Sequence, residues 1–154
     1  MSGQTSYDIN TANAVAGQVA DIGWNEIDSF LCEGAAGIGF GLAVSRGTND
    51  GQALIGGDGT GIGITVRDLA REGAANTGAV AYAEKETMAV MRFGSGSKIF
   101  VAIPTGGSAG DPLNYNDTTG VIDAGAAVAG ETDIAGATLE EDVVAGGIAK
   151  IRLG

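Results

Sequence analysis

Apolar residues along this chain fall in short groups separated by polar, glycine-rich runs. The clearest groups are Ile62-Gly63-Ile64-Thr65-Val66-Arg67 and Lys98-Ile99-Phe100-Val101-Ala102-Ile103. In each, aliphatic residues recur at every second position, which puts them on one face of a β-strand. Further strands are predicted at 24–31, 42–46, 54–55, 80–82, 87–92, 113–115, 121–122, 134–139 and within 143–153. Glycine-containing runs such as Gly47-Thr48-Asn49-Asp50-Gly51 separate them. Short strands at this spacing predict an all-β fold, a small antiparallel β-sandwich or jelly-roll-like barrel with Gly-rich turns.

The centre of the pattern is residues 86–120. Segments 87–92 and 98–103, separated by Phe93-Gly94-Ser95-Gly96-Ser97, are expected to form a β-hairpin and to continue into a meander. Pro104 cannot donate to a ladder and should end the second strand. Residues 1–23 carry only sparse apolar positions, Tyr7, Ile9, Val15, Val19 and Ile22. They read as an extended N-terminal arm lying on another surface, or as a frayed terminus, ahead of a single β domain over 24–154. Residues 12–20 have the composition of a weak helix, and 66–72 that of a helical turn.

Composition narrows what this domain can do. The 154 residues include 28 Gly but only 5% aromatics, so the 44% hydrophobic content overstates the core that the chain can build alone. Partner subunits could complete such a core. Only two Pro and recurring apolar groups argue against disorder. The net charge is −11, from 8 basic and 19 acidic residues, which argues against nucleic acid or an anionic membrane as partner. The single Cys32 excludes an intrachain disulfide and reads as a small buried hydrophobe. The start, MSGQTSYDIN, has neither the basic nor the apolar region of a secretory signal.

The chain contains no histidine, which removes the usual general base and the commonest transition-metal ligand. Two carboxylates alone can cleave a glycoside. Here, however, Asp50, Asp58, Asp111 and Asp117 sit at turns and Glu140-Glu141-Asp142 form a solvated run, so ordinary turn chemistry accounts for them. Gly94-Ser95-Gly96-Ser97-Lys98 lacks the spacing and following helix of a phosphate loop. Gly57, Gly59 and Gly61 lack the strand–helix context of a dinucleotide site, and both clusters read as turns. Neither Asp58-Gly59 nor Asn49-Asp50-Gly51 makes an EF-hand loop. No catalytic residue, cofactor or metal site is expected.

An ordered set of motifs resembles the tailed-bacteriophage structural cement (head decoration) proteins. The set comprises Gly17-Gln18-Val19-Ala20-Asp21, Ile38-Gly39-Phe40-Gly41-Leu42-Ala43-Val44, Gly61-Ile62-Gly63-Ile64-Thr65-Val66-Arg67, Glu86-Thr87-Met88-Ala89-Val90-Met91-Arg92-Phe93-Gly94, Gly110-Asp111-Pro112-Leu113-Asn114-Tyr115 and Ala145-Gly146-Gly147-Ile148-Ala149-Lys150-Ile151-Arg152-Leu153. The resemblance implies a structural virion protein on the outer surface of the phage head, made in the bacterial host cytoplasm. It implies bridging of adjacent major capsid proteins and association with itself as a dimer or trimer, without catalysis. The −11 charge suits an outer surface better than one facing packaged DNA.

Contact with capsid or subunit is expected from the arm residues Tyr7, Ile9 and Val15 and from Trp24, whereas Phe40 and Phe100 read as core. The alternative is a β-rich carbohydrate-binding or tail-fibre module. One Trp, three Tyr and four Phe leave little for the aromatic cluster that such a module needs. A His-free hydrolase would have to rest on residues such as Asp111 or Glu141.

Overall fold

The computed structural model describes residues 14–68 and 81–154. In chain order the first strands are β1 (Ile27–Cys32), β2 (Ile38–Gly39), β3 (Ala43–Arg46), β4 (Gln52–Ile55), β5 (Gly61–Thr65) and β6 (Ala81–Tyr82). They are followed by β7 (Thr87–Arg92), β8 (Lys98–Ile103), β9 (Pro112–Asn116), β10 (Ile122–Ala124), β11 (Glu131–Leu139) and β12 (Gly147–Arg152). No helix occurs among the described residues. The all-β expectation therefore holds, in the form of a barrel packed against a sheet.

The barrel runs β1-β4-β3-β5-β7 and closes where β7 pairs with β1. Its pairings are antiparallel except β1–β4, which is parallel at Leu31↔Gln52 and Cys32↔Ala53. The second layer runs β10-β9-β11-β12-β8, while β2 and β6 form a small ladder beside the barrel. One buried cluster fills the barrel, around Phe30, Val44, Tyr82, Met88 and Val90. The other lies between the layers and joins Ala43, Ile64 and Met91 to Ile99, Val101, Tyr115, Leu139 and Ile151 of the sheet.

This arrangement overturns the central hairpin. β7 pairs with β1 and β5, whereas β8 pairs with β12, so residues 93–97 carry the chain from barrel to sheet. Gly94 and Gly96 adopt φ of 76° and 71°, and the loop is held to the end of β12 by Gly96 N–H to Leu153 O (2.8 Å) and Leu153 N–H to Ser97 O (2.9 Å). Five residues give enough reach to leave one layer for the other, so proximity in sequence did not impose pairing. The meander fails too: β9 pairs with β10 and β11 and not with β8.

The helical expectations fail where they can be followed. Residues 14–20 make a turn and a bridge from Val19 to Ile99 rather than helix, and 66–68 are irregular; 12–13 and 69–72 lie outside the described residues. The first strand begins at Ile27 rather than Trp24. The Asn25 amide donates to Asp21 O and Gly23 O, both at 3.0 Å, and folds residues 21–25 into a tight loop. Cys32 is buried, as expected of a small hydrophobe.

Candidate docking surface

The segment that enters the domain is attached to both layers. Gly17 N–H donates to Phe100 O (2.8 Å) on β8, while Gly17 O accepts from Arg67 N–H (2.7 Å) after β5. Phe100 N–H donates to Gln18 O (2.9 Å) and Ala20 N–H to Lys98 O (2.9 Å), so residues 17–20 occupy the edge of β8. That edge would otherwise present unpaired backbone groups. Gly17 has φ of +82°, and a Cβ there would stand 2.7 Å from Phe40 Cβ and 3.0 Å from Gly41 N. Only glycine lets the chain pass so closely.

From Ala20 the chain enters the 21–25 loop, where Asp21 Oδ1 also accepts from Gly23 N–H (3.0 Å). The loop is anchored further by Glu26 N–H to Ser97 Oγ (3.2 Å) and Arg92 N–H to Glu26 O (3.0 Å). It holds Ile22 wholly in solvent and leaves Trp24 88% exposed. Two large apolar side chains fixed in water on a hydrogen-bonded loop mark a contact site better than scattered surface hydrophobes do.

Next to this loop lies the outer face of β8 and β12. Ile99, Val101, Ala149 and Ile151 point inward, so Lys98, Phe100 and Ala102 on β8 and Ile148, Lys150 and Arg152 on β12 share the solvent side. Lys98 is the direct cross-strand partner of Arg152, an unfavourable like-charge pair. Glu140 offsets it, accepting from Lys98 Nζ at 2.9 Å. That hydrogen bond, with the nearby charges of Lys98, Arg152 and Lys150, holds the Glu140 carboxyl below its ordinary value despite some desolvation. Phe100 and Ile148, with Ala14, Glu141 and Asp142, line an open groove of 470 Å³.

Of the residues expected to make contacts, Tyr7 and Ile9 lie outside the described residues. Val15 is 38% exposed at the start of the β8-edge segment, next to the groove-lining Ala14, and Trp24 is on the loop. Phe40 is core, edge-to-face with Tyr82 at 5.1 Å and beneath the Arg67 guanidinium at 5.4 Å. Phe100 is a correction: its position between Ile99 and Val101 turns it outward, where it is half-buried. Sequence reading missed Ile22 as an exposed residue and Ile148 as part of the basic face. For Ile22 the available signal was an isolated large aliphatic between Asp21 and Gly23. The two glycine clusters are connections, as expected: 56–60 joins β4 to β5, and 93–97 joins β7 to β8.

These features define an all-β scaffold, in which the distinctive elements are exposed apolar surfaces and a pinned entering segment. The family model for "Structural cement protein (E217 gp24/Pam3 gp6)" of phages matches residues 3–154, and the chain belongs to that family. No curated protein matches the sequence. Among solved structures, a chain from "The capsid of Myoviridae Phage XM1" is similar in fold, with TM-score 0.73 and 18% identity over 100% of this chain and 98% of that one. The protein is thus a structural component of a phage capsid, associated with capsid proteins.

Proposed function

We propose that this protein cements the outside of an icosahedral phage head by bridging adjacent major capsid proteins. Family membership carries the reading, and the rigid attachment of residues 17–20 to both layers supports it. An arm so anchored transmits load from a neighbour into the domain core. The contact residues in this reading are Tyr7, Ile9 and Val15 of the arm, directed to the shell, and Trp24, directed to the shell or to a neighbouring subunit. Many modest contacts repeated over a shell sum to strong retention. The −11 charge favours the outer surface over the DNA-facing one.

The test adds the full-length protein to undecorated heads and follows shell rupture on heating. Wild type should raise the rupture temperature, and a Tyr7→Ala, Ile9→Ala, Val15→Ser variant should bind less and protect less. Protein that sediments apart from the heads at saturating concentration would reject the reading.

A further inference from the structure

We propose that Asn114, Asp123 and Asp133 form a Ca²⁺ site on the outer face of the sheet, beneath the connection from β10 to β11. Strands β10 and β11 flank β9, and both run antiparallel to it. The connection 125–130 must therefore return along the length of β9. Gly125 N–H donates to Pro112 O (2.8 Å) at one end of β9, and Asp117 N–H donates to Gly130 O (2.9 Å) at the other. Under this crossover Asn114 is the direct partner of Asp123 on β10 and of Asp133 on β11, so the three side chains stand in one row on one face. That face is the outer one, because Leu113, Tyr115, Ile122 and Ile134 take the core side.

Asn114 is the unusual member of the row. It points away from the core yet is only 3% exposed, because the crossover covers it. Its Nδ2 donates to Gly125 O (3.1 Å), which fixes the amide, and its Oδ1 is buried without a hydrogen-bond donor. A buried acceptor left unpaired is unfavourable. The crossover, Gly125-Ala126-Ala127-Val128-Ala129-Gly130, has no polar side chain to offer, and the neighbours in the row are carboxylates. Asp133 Oδ1 accepts from Ala127 N–H (2.8 Å), and Asp123 Oδ1 accepts from Thr105 Oγ1 (2.5 Å) and Ala124 N–H (2.9 Å). Among the described residues neither Oδ2 accepts a hydrogen bond and neither carboxylate forms an ion pair.

A cation supplies what this row lacks. Oxygen-only donors select a hard ion, and Ca²⁺ tolerates an irregular shell that includes a carbonyl oxygen, whereas Mg²⁺ demands a near-ideal octahedron. Adjacent strands lie about 4.7–4.9 Å apart, within reach of one ion bonded at about 2.3–2.6 Å to an oxygen from each. The open groove of 410 Å³ bordered by Pro112, Ala126 and Asp133 gives the ion a way in. Because the ligands come from three strands, no loop spacing in the sequence announces the site. Bound there, the ion ties the crossover to the sheet and steadies Val128, which is 67% exposed on it.

The site stands apart from the proposed function, and its test uses free full-length protein without heads. After dialysis against a chelator, Ca²⁺ is titrated while heat of binding and melting temperature are followed, with Mg²⁺ and with NaCl of equal ionic strength as references. Wild type should bind one Ca²⁺ per chain, more tightly than Mg²⁺, and its melting temperature should climb with Ca²⁺ concentration as mass action requires. Asp133→Asn keeps an acceptor for Ala127 N–H and should weaken binding about tenfold or more. Asn114→Asp puts a third carboxylate under the crossover. It should melt below wild type in chelator and regain the difference in Ca²⁺, an inversion that a merely structural asparagine cannot give.

A wild type that responds to Ca²⁺ no more than to NaCl overturns the inference, and is the result expected if water alone meets Asn114 Oδ1. Ca²⁺ binding that Asp133→Asn leaves intact also overturns it, as does an Asn114→Asp chain that stays equally destabilised in saturating Ca²⁺.

Discussion

The barrel and the sheet solve the burial problem in opposite ways. Barrel strands on the sheet side are buried on both faces: in β7, Met88 and Val90 fill the barrel while Met91 packs against the sheet. Sheet strands are buried on one face: in β8, Ile99, Val101 and Ile103 point inward, and Lys98, Phe100 and Ala102 outward. A two-faced strand has no side left for contact, so the most exposed apolar side chains collect on the sheet layer and on the 21–25 loop. The barrel supplies stiffness and the sheet supplies surface.

The sharpest test of this division is to add volume to each layer. Gly63 on β5 is buried, and a Cβ there would stand 2.2 Å from Met91 O and 2.7 Å from Val90 Cγ1. Backbone cannot retreat as a side chain can, so Gly63→Ala should cost at least about 3 kcal/mol, the upper end for overpacking. Ala102→Val on the outer face of β8 should change stability by no more than about 0.5 kcal/mol. Denaturant titration measures both, and equal effects would erase the distinction between the layers.

The same contrast explains what could be read in advance. Period-two alternation in β8 and β12 is visible because one side meets a different environment from the other. Thr87–Arg92 shows an almost unbroken apolar run because both sides are buried, and such a run carries no partner information. Its assignment to a hairpin with β8 therefore followed chain proximity, whereas closure onto β1 depends on contacts some 60 residues away. The candidate site was legible in part. Trp24 stood out as the one tryptophan, but the outward parity of Phe100 was hidden by its similarity to its aliphatic neighbours. Ile148 joins the cations only once β12 is in register with β8.

The seam between the layers gives the next largest effect. Tyr115 on β9 is buried, and its hydroxyl donates to Gly57 O (2.7 Å) and accepts from Gly61 N–H (3.0 Å) at the β4–β5 connection. Its ring stacks on Phe93 at 6.1 Å. Tyr115→Phe keeps the ring and strands both backbone groups, which should cost about 1–3 kcal/mol. Loss of one unfolding transition in favour of two would show that this hydroxyl couples barrel to sheet.

Smaller still is the effect at the entering segment. Gly17→Ala places a methyl against Phe40 and a left-handed backbone on a residue that resists it, at roughly 1–2 kcal/mol. Residues 17–20 should leave the β8 edge before the layers separate. Amide exchange at Phe100 and Ala20 should therefore accelerate, while exchange in β7 stays slow. Uniform acceleration across both layers would mean that the segment is integral to the core rather than attached to it.

The least costly test concerns the charges on the outer face. Glu140 and Lys98 are 24% and 29% exposed at the side chain, a geometry worth about 0.2–1 kcal/mol. The Glu140 carboxyl is held below its ordinary 4.5, first by the Lys98 hydrogen bond, so its folded form is the charged one. A depressed carboxylate contributes stability that is complete above 4.5 and is lost as pH falls through the folded value. Wild type should therefore exceed Glu140→Gln in melting temperature at pH 7, and the gap should close below about 4.5. At the Arg92–Asp28 pair on the barrel, at 3.4 Å with Asp28 half in solvent, Asp28→Asn should lower the melting temperature at pH 7 by less than Glu140→Gln does. If both pairs respond alike, the crowding of cations that sets the sheet face apart has no energetic consequence, and the reason for assigning contact chemistry to that layer goes with it.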